Sequence, residues 1–199
     1  MGYVMNNLVV LGSVNADHVL RVPSFPRPGE TLLGGGYQVV AGGKGANQAV
    51  AAARLGAKVS FIACVGDDAF GQQMVQHFQQ EGINTSAVMI EKGANTGVAM
   101  IQVTPEGENS ICLSPEANQL LNAQQVAAHT ELLRQADYLL LQLETPIEGI
   151  MAAINIAKSS GAKVVLNPAP AQSLPDELVA QLDMITPNET EAEMLTGVR

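Results

Sequence analysis

Positive charge is scarce in this chain: 10 lysines and arginines stand against 19 aspartates and glutamates, a formal charge of -9. A surface of that sign repels phosphate backbones and anionic lipid, so nucleic acid and membranes are poor partners. It does not exclude a neutral sugar, or a nucleotide whose charge is offset by a metal and a cluster of amide donors. Cysteine is scarcer still. Cys64 and Cys112 sit in apolar runs, FIACV and ICL, with no second cysteine or histidine at metal-ligand spacing, and they read as free buried thiols. Long apolar runs are missing too. Nothing approaches the roughly 18 residues of a membrane span, and the stretch from Leu8 to Val14 is too short for a signal h-region, so the chain is expected in the cytoplasm. Repeats and low-complexity segments are absent. At 199 residues and 47% hydrophobic, one domain that buries roughly 70% of its unfolded surface is the default.

What is present is a rhythm of short apolar runs and amphipathic stretches. LVVLG (8-12), KVSFIACVG (58-66), YLLLQL (138-143), KVVLNP (163-168) and DMITP (183-187) end in Gly, Pro or polar residues and read as buried strands. Between them, 47-55, 69-81, 123-134 and 146-160 read as helices, three of them stopped by Gly56, Gly82 and Gly161 and one started by Asn122 with Gln125. Such alternation implies an α/β fold with a parallel sheet covered by helices on both faces. Two stretches break the rhythm. Residues 14-40 hold two extended segments around PSFPRPGE, and 96-113 read as a hairpin, GVAMIQV and NSICL about TPEGE. With no helix to cover them, they are expected to form a small β layer projecting from the sheet, which needs a ligand, a partner or the main body against its apolar face.

Four places carry side chains suited to binding chemistry. GSVNAD (12-17) follows the first strand, where an open α/β sheet presents ligand groups. Asn15 and Asp17 either close the strand in an Asx turn or bond to hydroxyls, Asp17 with both oxygens. AGGKGANQA (41-49) leads into a helix with amide donors at its N-terminus and Lys44 and Asn47 in the first turn. It is not a nucleotide fingerprint, because Gln48 stands where GxGxxG needs glycine and Gly45 where a Walker loop needs Ser or Thr. It either packs helix on strand tightly or approaches a ligand. Glu144 ends an apolar strand at the same sheet edge as Asp17, as a neighbour of the helix start at Pro146 or as a hydroxyl ligand. In TPNETE (186-191), Asn188 and Glu191 form a capping box or face phosphate and magnesium-bound water. The three histidines form no ligand set: His77 and His129 are expected at the surface, and His18 points away from Asp17 by strand alternation.

GSVNADHVL, FPRPGET, GGKGANQAVAAARLG, FIACVGDDAFG, TGVAMIQV, LNPAPA and TPNETEAEMLTG, in that order, resemble the ribokinase family of sugar kinases, the phosphofructokinase B type. The resemblance spans nearly the whole chain. It implies transfer of the γ-phosphoryl of MgATP to the 5-hydroxyl of D-ribose, with other small sugars or nucleosides and a non-catalytic sugar-binding fragment as alternatives. It implies sugar ligands at Asn15, Asp17, Gly43, Lys44, Asn47 and Glu144. It also implies phosphate and magnesium organisation at Asn188 and Glu191, the metal being reached from Glu191 through water. The projecting layer would be a lid that closes over the sugar and joins a homodimer, and the full family fold would add a K+ site. The family's DTxGAGD-type segment, with its anion hole and catalytic base, does not occur in these residues, so the base is expected beyond Arg199. The resemblance therefore implies that the last third of the fold is absent and that the 199 residues alone are inactive.

Overall fold

In the computed structural model, which describes residues 6-198, strand alternation decides what covers the main sheet. Arg199, the position beyond which the catalytic base is expected, lies outside the described residues. β1 (Asn7–Leu11), β4 (Lys58–Gly66), β5 (Asn84–Glu91), β8 (Tyr138–Leu141), β9 (Lys163–Leu166) and β10 (Met184–Ile185) form six strands in the order β10-β9-β8-β1-β4-β5. Every pairing in this sheet is parallel. Successive side chains point to opposite faces. Val9, Leu11, Ile62, Cys64, Leu139, Leu141, Val164 and Leu166 share one core, while Val10, Phe61, Ala63 and Val65 share the other.

Helices fill the two sides unequally. α1 (Lys44–Arg54) and α2 (Ala69–Gln80) cover the second core, where the Phe78 ring of α2 meets Phe61 edge-on at 5.2 Å. The first core is covered by α3 (Ala123–Ala127), α4 (Thr130–Arg134), α5 (Ile147–Ser159) and α6 (Asp176–Val179). In α5 the buried residues Ile150, Ala153, Ile154 and Ala157 recur at the spacing of one helix face. On the α1 side, β8 to β10 have no such cover among the described residues: Tyr138 and Met184 are exposed, and β10 is an edge. The final helix, α7 (Glu189–Thr196), follows β10. Among the described residues, no helix is long and apolar enough to cross a membrane.

A second sheet has the order β3-β2-β6-β7, from β2 (Asn15–Arg21), β3 (Gly35–Gly42), β6 (Gly97–Val103) and β7 (Asn109–Ser114). Two antiparallel pairs are joined through their first strands, because β2 and β6 run parallel with Asn15 opposite Gly97. Hence both excursions leave the body side by side. Among the described residues no helix covers this sheet, and Tyr37, Val39, Met100, Ile111 and Leu113 stand exposed on it.

Several local expectations change. β5 reads as polar from its sequence, NTSAVMIE, because it is an edge strand whose alternate positions face water. The stretch 123-134 is two short helices, separated where His129 adopts φ -106 and ψ 25. Cys112 is exposed, since the run around it lies on β7 with nothing above it, whereas Cys64 is buried and its thiol is pushed up to about 11 by burial and the charge of Glu91. His77 lies at the surface with 36% of its side chain exposed beside Glu81, whereas His129 is half-buried; the His129 Nε2 is shielded without a hydrogen-bond partner, and burial holds its pKa below the ordinary value.

Candidate active site

The C-terminal ends of β1 and β8, the root of β2 and the start of α1 meet in one cleft. About 420 Å³ in volume, it is lined by Asn15, Asp17, Gly43, Lys44, Asn47 and Glu144, with Ala99, Ile101, Ile111 and Leu113 of the second sheet above them. The structure thus brings together all six residues expected to hold the sugar. One wall is polar and the other apolar, as suits a molecule with hydroxyls on its edges and C–H groups on its faces.

The polar wall is built by backbone geometry. Gly43, the N-cap of α1, has φ 93, and a Cβ there would come within 2.7 Å of the Ser13 carbonyl oxygen. Only glycine takes that conformation without strain. The turn lets the Lys44 N–H donate to Glu144 Oε2 at 3.0 Å. Ser13 Oγ donates to the same oxygen in a short bond and accepts from the Gly45 N–H at 3.3 Å. Ser13 is fully buried and was not foreseen as a site residue; a lone serine in GSVNAD carries no pattern to mark it. With Oε2 doubly occupied, Glu144 offers Oε1 to a ligand.

Asp17 is left open by contrast. No protein hydrogen bond involves its carboxylate among the described residues, and on β3 the hydrogen of Gly42 makes the space it occupies: a Cβ on Gly42 would fall 2.1 Å from the carboxyl group. Burial raises the Asp17 pKa above its ordinary value and the Glu144 charge adds to the rise, while His18 and Lys44 oppose it. An ion held under such pressure gains by meeting hydroxyl donors. His18 turns from the cleft, its Nδ1 2.8 Å from the Tyr37 hydroxyl.

Asn188 and Glu191 do not line this cleft. They form a reciprocal cap on α7: Asn188 Oδ1 accepts from the Glu191 N–H at 2.8 Å and Glu191 Oε2 accepts from the Asn188 N–H at 2.9 Å. Glu191 is 7% exposed. A chain of amides runs from Gln142, two residues before Glu144, to Thr186, two residues before Asn188. Gln142 Nε2 donates to Gln48 Oε1 at 2.5 Å, Gln48 Nε2 to Asn167 Oδ1 at 3.3 Å, and Asn167 Nδ2 to the Thr186 carbonyl at 3.1 Å. Among the described residues, no group of three or more His, Cys, Asp or Glu side chains could hold a metal. A magnesium ion that keeps its waters needs only one or two carboxylates, so the free Glu191 oxygen fits such a contact.

The architecture is thus a parallel α/β sheet with a glycine-rich helix start and a carboxylate-lined cleft beneath a β layer. Residues 5–199 match the model of the pfkB family of carbohydrate kinases, and the chain belongs to that family. It is 58% identical over 191 residues to ribokinase of Haemophilus influenzae, covering 96% of this chain and 62% of that protein. Ribokinase of Staphylococcus aureus is 42% identical over 195 residues, with 98% and 64% covered. Among solved structures, Arabidopsis thaliana ribokinase complexed with ribose and ATP superposes with a TM-score of 0.86 at 33% identity, with 96% and 63% covered. The chain thus spans a little under two thirds of the length of these relatives.

Proposed function

We propose that these residues form the sugar-binding part of a cytoplasmic kinase that transfers the γ-phosphoryl of MgATP to the 5-hydroxyl of D-ribose. The observation that carries the reading is the convergence of Asn15, Asp17, Lys44, Asn47 and Glu144 on one cleft with an apolar roof. The two carboxylates and the amides satisfy hydroxyls, and the roof covers the sugar's C–H face. Phosphoryl transfer is chiefly positioning and charge stabilisation, so a site that fixes the acceptor sugar supplies a large part of the catalysis. Asn188 and Glu191 would face phosphate and water-held Mg2+, the metal offsetting the charge of the transferring group. In the full family fold a K+ site is expected as well.

The base and the anion hole belong, by resemblance, to the DTxGAGD-type segment expected beyond Arg199, which these residues do not contain. Loss of a general base costs about 10²- to 10⁴-fold and loss of anion-hole donors about 10²- to 10³-fold more. The isolated 199-residue polypeptide is therefore expected to bind ribose without phosphorylating it. The exposed Tyr37, Val39 and Met100, on the face of the second sheet turned away from the cleft, favour pairing with the same sheet of a second copy.

The test is calorimetric titration with D-ribose, 2-deoxyribose, fructose and a nucleoside, run beside a coupled ADP-release assay. Preferential binding of ribose supports the reading. Preference for another sugar or the nucleoside moves the substrate within the family, and turnover above about 1 s⁻¹ would place the base within these residues.

A further inference from the structure

Asn15 lines the cleft and is 3% exposed, yet its orientation is fixed from outside the cleft. The partner is Asn118, 1% exposed, in the 3-10 turn Glu116–Leu120. Asn118 Oδ1 accepts from the Val14 N–H at 2.9 Å, and its Nδ2 donates to the Val14 carbonyl at 3.2 Å and to Asn15 Oδ1 at 2.9 Å. A side-chain amide has one accepting and one donating end. Val14 presents a backbone donor and a backbone acceptor whose senses cannot change, so it dictates which end of Asn118 is oxygen. Asn118 then dictates the sense of Asn15. Its proton claims Asn15 Oδ1, and Asn15 Nδ2 is the end left over, with no protein acceptor among the described residues.

The surroundings hold Asn118 in this place. The Ala117 N–H donates to the Asn95 carbonyl and the Asn118 N–H to the Pro115 carbonyl. Glu116 has φ 47, a left-handed backbone rare outside glycine. Gly97 lies opposite Asn15 in register, and a Cβ there would sit 2.3 Å from both Asn118 Nδ2 and Asn15 Oδ1. The meeting of the two amides thus depends on a bare backbone at that point.

We infer that Asn118 is a positioning residue that locks Asn15 as a hydrogen-bond donor toward the bound sugar. The inference rests on the reading of the cleft as a pentose site and adds a polarity to it. Along one face of β2 the sugar meets first a donor, at Asn15, and two residues on an acceptor, at Asp17. A polyol edge satisfies both, since a hydroxyl can accept from the first and donate to the second. A ligand that offers only a donor opposite Asn15, such as a protonated amino sugar, leaves that amide unpaired.

The experiment is a double-mutant cycle read by calorimetry with D-ribose on the wild-type chain, Asn15→Ala, Asn118→Asp and the double variant. Asn118→Asp keeps the shape and the bond from Val14 N–H but removes the proton given to Asn15. It should weaken ribose binding about 10- to 100-fold, as Asn15→Ala does, because each leaves one hydrogen bond of the buried site unmade. The double variant should lie within about threefold of Asn15→Ala alone, because Asn118 acts through Asn15. Additive losses, or an Asn118→Asp protein that binds like wild type, would overturn the inference. Should Asn118→Asp not fold, the side-chain amide signals of wild type decide. On saturation with D-ribose the Asn15 Nδ2 protons should shift and exchange more slowly while those of Asn118 stay put, and unmoved Asn15 protons in a ribose-saturated sample sink the proposal. A wild-type chain that gives no heat with ribose fails earlier and overturns the pentose reading itself.

Discussion

Replacing Asp17 with alanine tests the site at its most exposed assumption. Neither carboxylate oxygen has a protein donor among the described residues, so in the bound state both are free to accept from sugar hydroxyls. Each hydrogen bond to an ionised group is worth about 1.5-3 kcal/mol. Two of them give about 3-6 kcal/mol, or two to four decades of affinity at about 1.4 kcal/mol per decade. The perturbation should leave the fold intact, because Asp17 is only partly buried and holds no neighbour. A companion variant, Asp17→Asn, separates binding from stability. The folded-state pKa of Asp17 is raised above its ordinary 3.8 by burial first and by Glu144 second. A raised carboxyl pKa means that the fold disfavours the ionised form. The penalty is absent below the unfolded pKa and appears as pH rises through the folded one, so it is present at neutral pH. Asp17→Asn should therefore melt above wild type at pH 7, with the gap closing below about pH 4, while ribose affinity falls. Calorimetric titration and thermal melting of the same samples give both readings. An Asp17→Ala dissociation constant within threefold of wild type would remove Asp17 from the site, and an Asp17→Asn melt unchanged at pH 7 would refute the electrostatic argument.

Gly42→Ala places a methyl where the Asp17 carboxyl lies, so ribose binding should fall as in Asp17→Ala while circular dichroism stays native; unchanged binding would show that the carboxyl has room to spare. Asn188→Ala should cost about 1 kcal/mol of stability through the lost cap, whereas Asn188→Asp keeps the cap; equal nucleotide affinity in both, measured by titration with MgATP, would reduce the motif to a helix start. Asp183 is held below its ordinary 3.8 by the Val164 N–H, then Lys158 and Lys163. Its contribution is present above the unfolded pKa and lost as pH falls through the depressed one, so Asp183→Asn should lower the melting temperature at pH 7 and by progressively less below about pH 4. Light scattering at micromolar concentration should find a dimer joined through the second sheet; a well-folded monomer with an intact sheet argues against that pairing.

The main sheet was legible because buried parallel strands read as unbroken apolar runs, and LVVL, FIACV, LLLQL and KVVL leave no other reading. β5 was not, since an edge strand with one wet face loses that signature. The six cleft residues were found through glycine spacing and family resemblance. Their supports were hidden: Ser13, Gln48, Gln142, Asn118 and Asn167 are isolated polar residues whose partners lie far away in sequence, 131 residues for Ser13 with Glu144 and 104 for Asn118 with Val14. A pattern within a short window cannot report such pairings. Cys112 was misread for the opposite reason. Apolarity signals burial only where something lies on top, and β7 has no cover among the described residues.

The parallel pairing of β2 with β6 has a mechanical consequence. Both stems of the second sheet cross from the body at the same height, Asn15 beside Gly97, so the layer is a cantilever clamped along one short line. Asn15 sits at the clamp and Asp17 one step out along the beam. Any tilt of the layer about that line rotates these two side chains with it, and any force exerted on them by a ligand is a torque on the whole layer. Ligand contact at these two residues and the tilt of the layer would then share one coordinate, which a stiffer clamp would restrain.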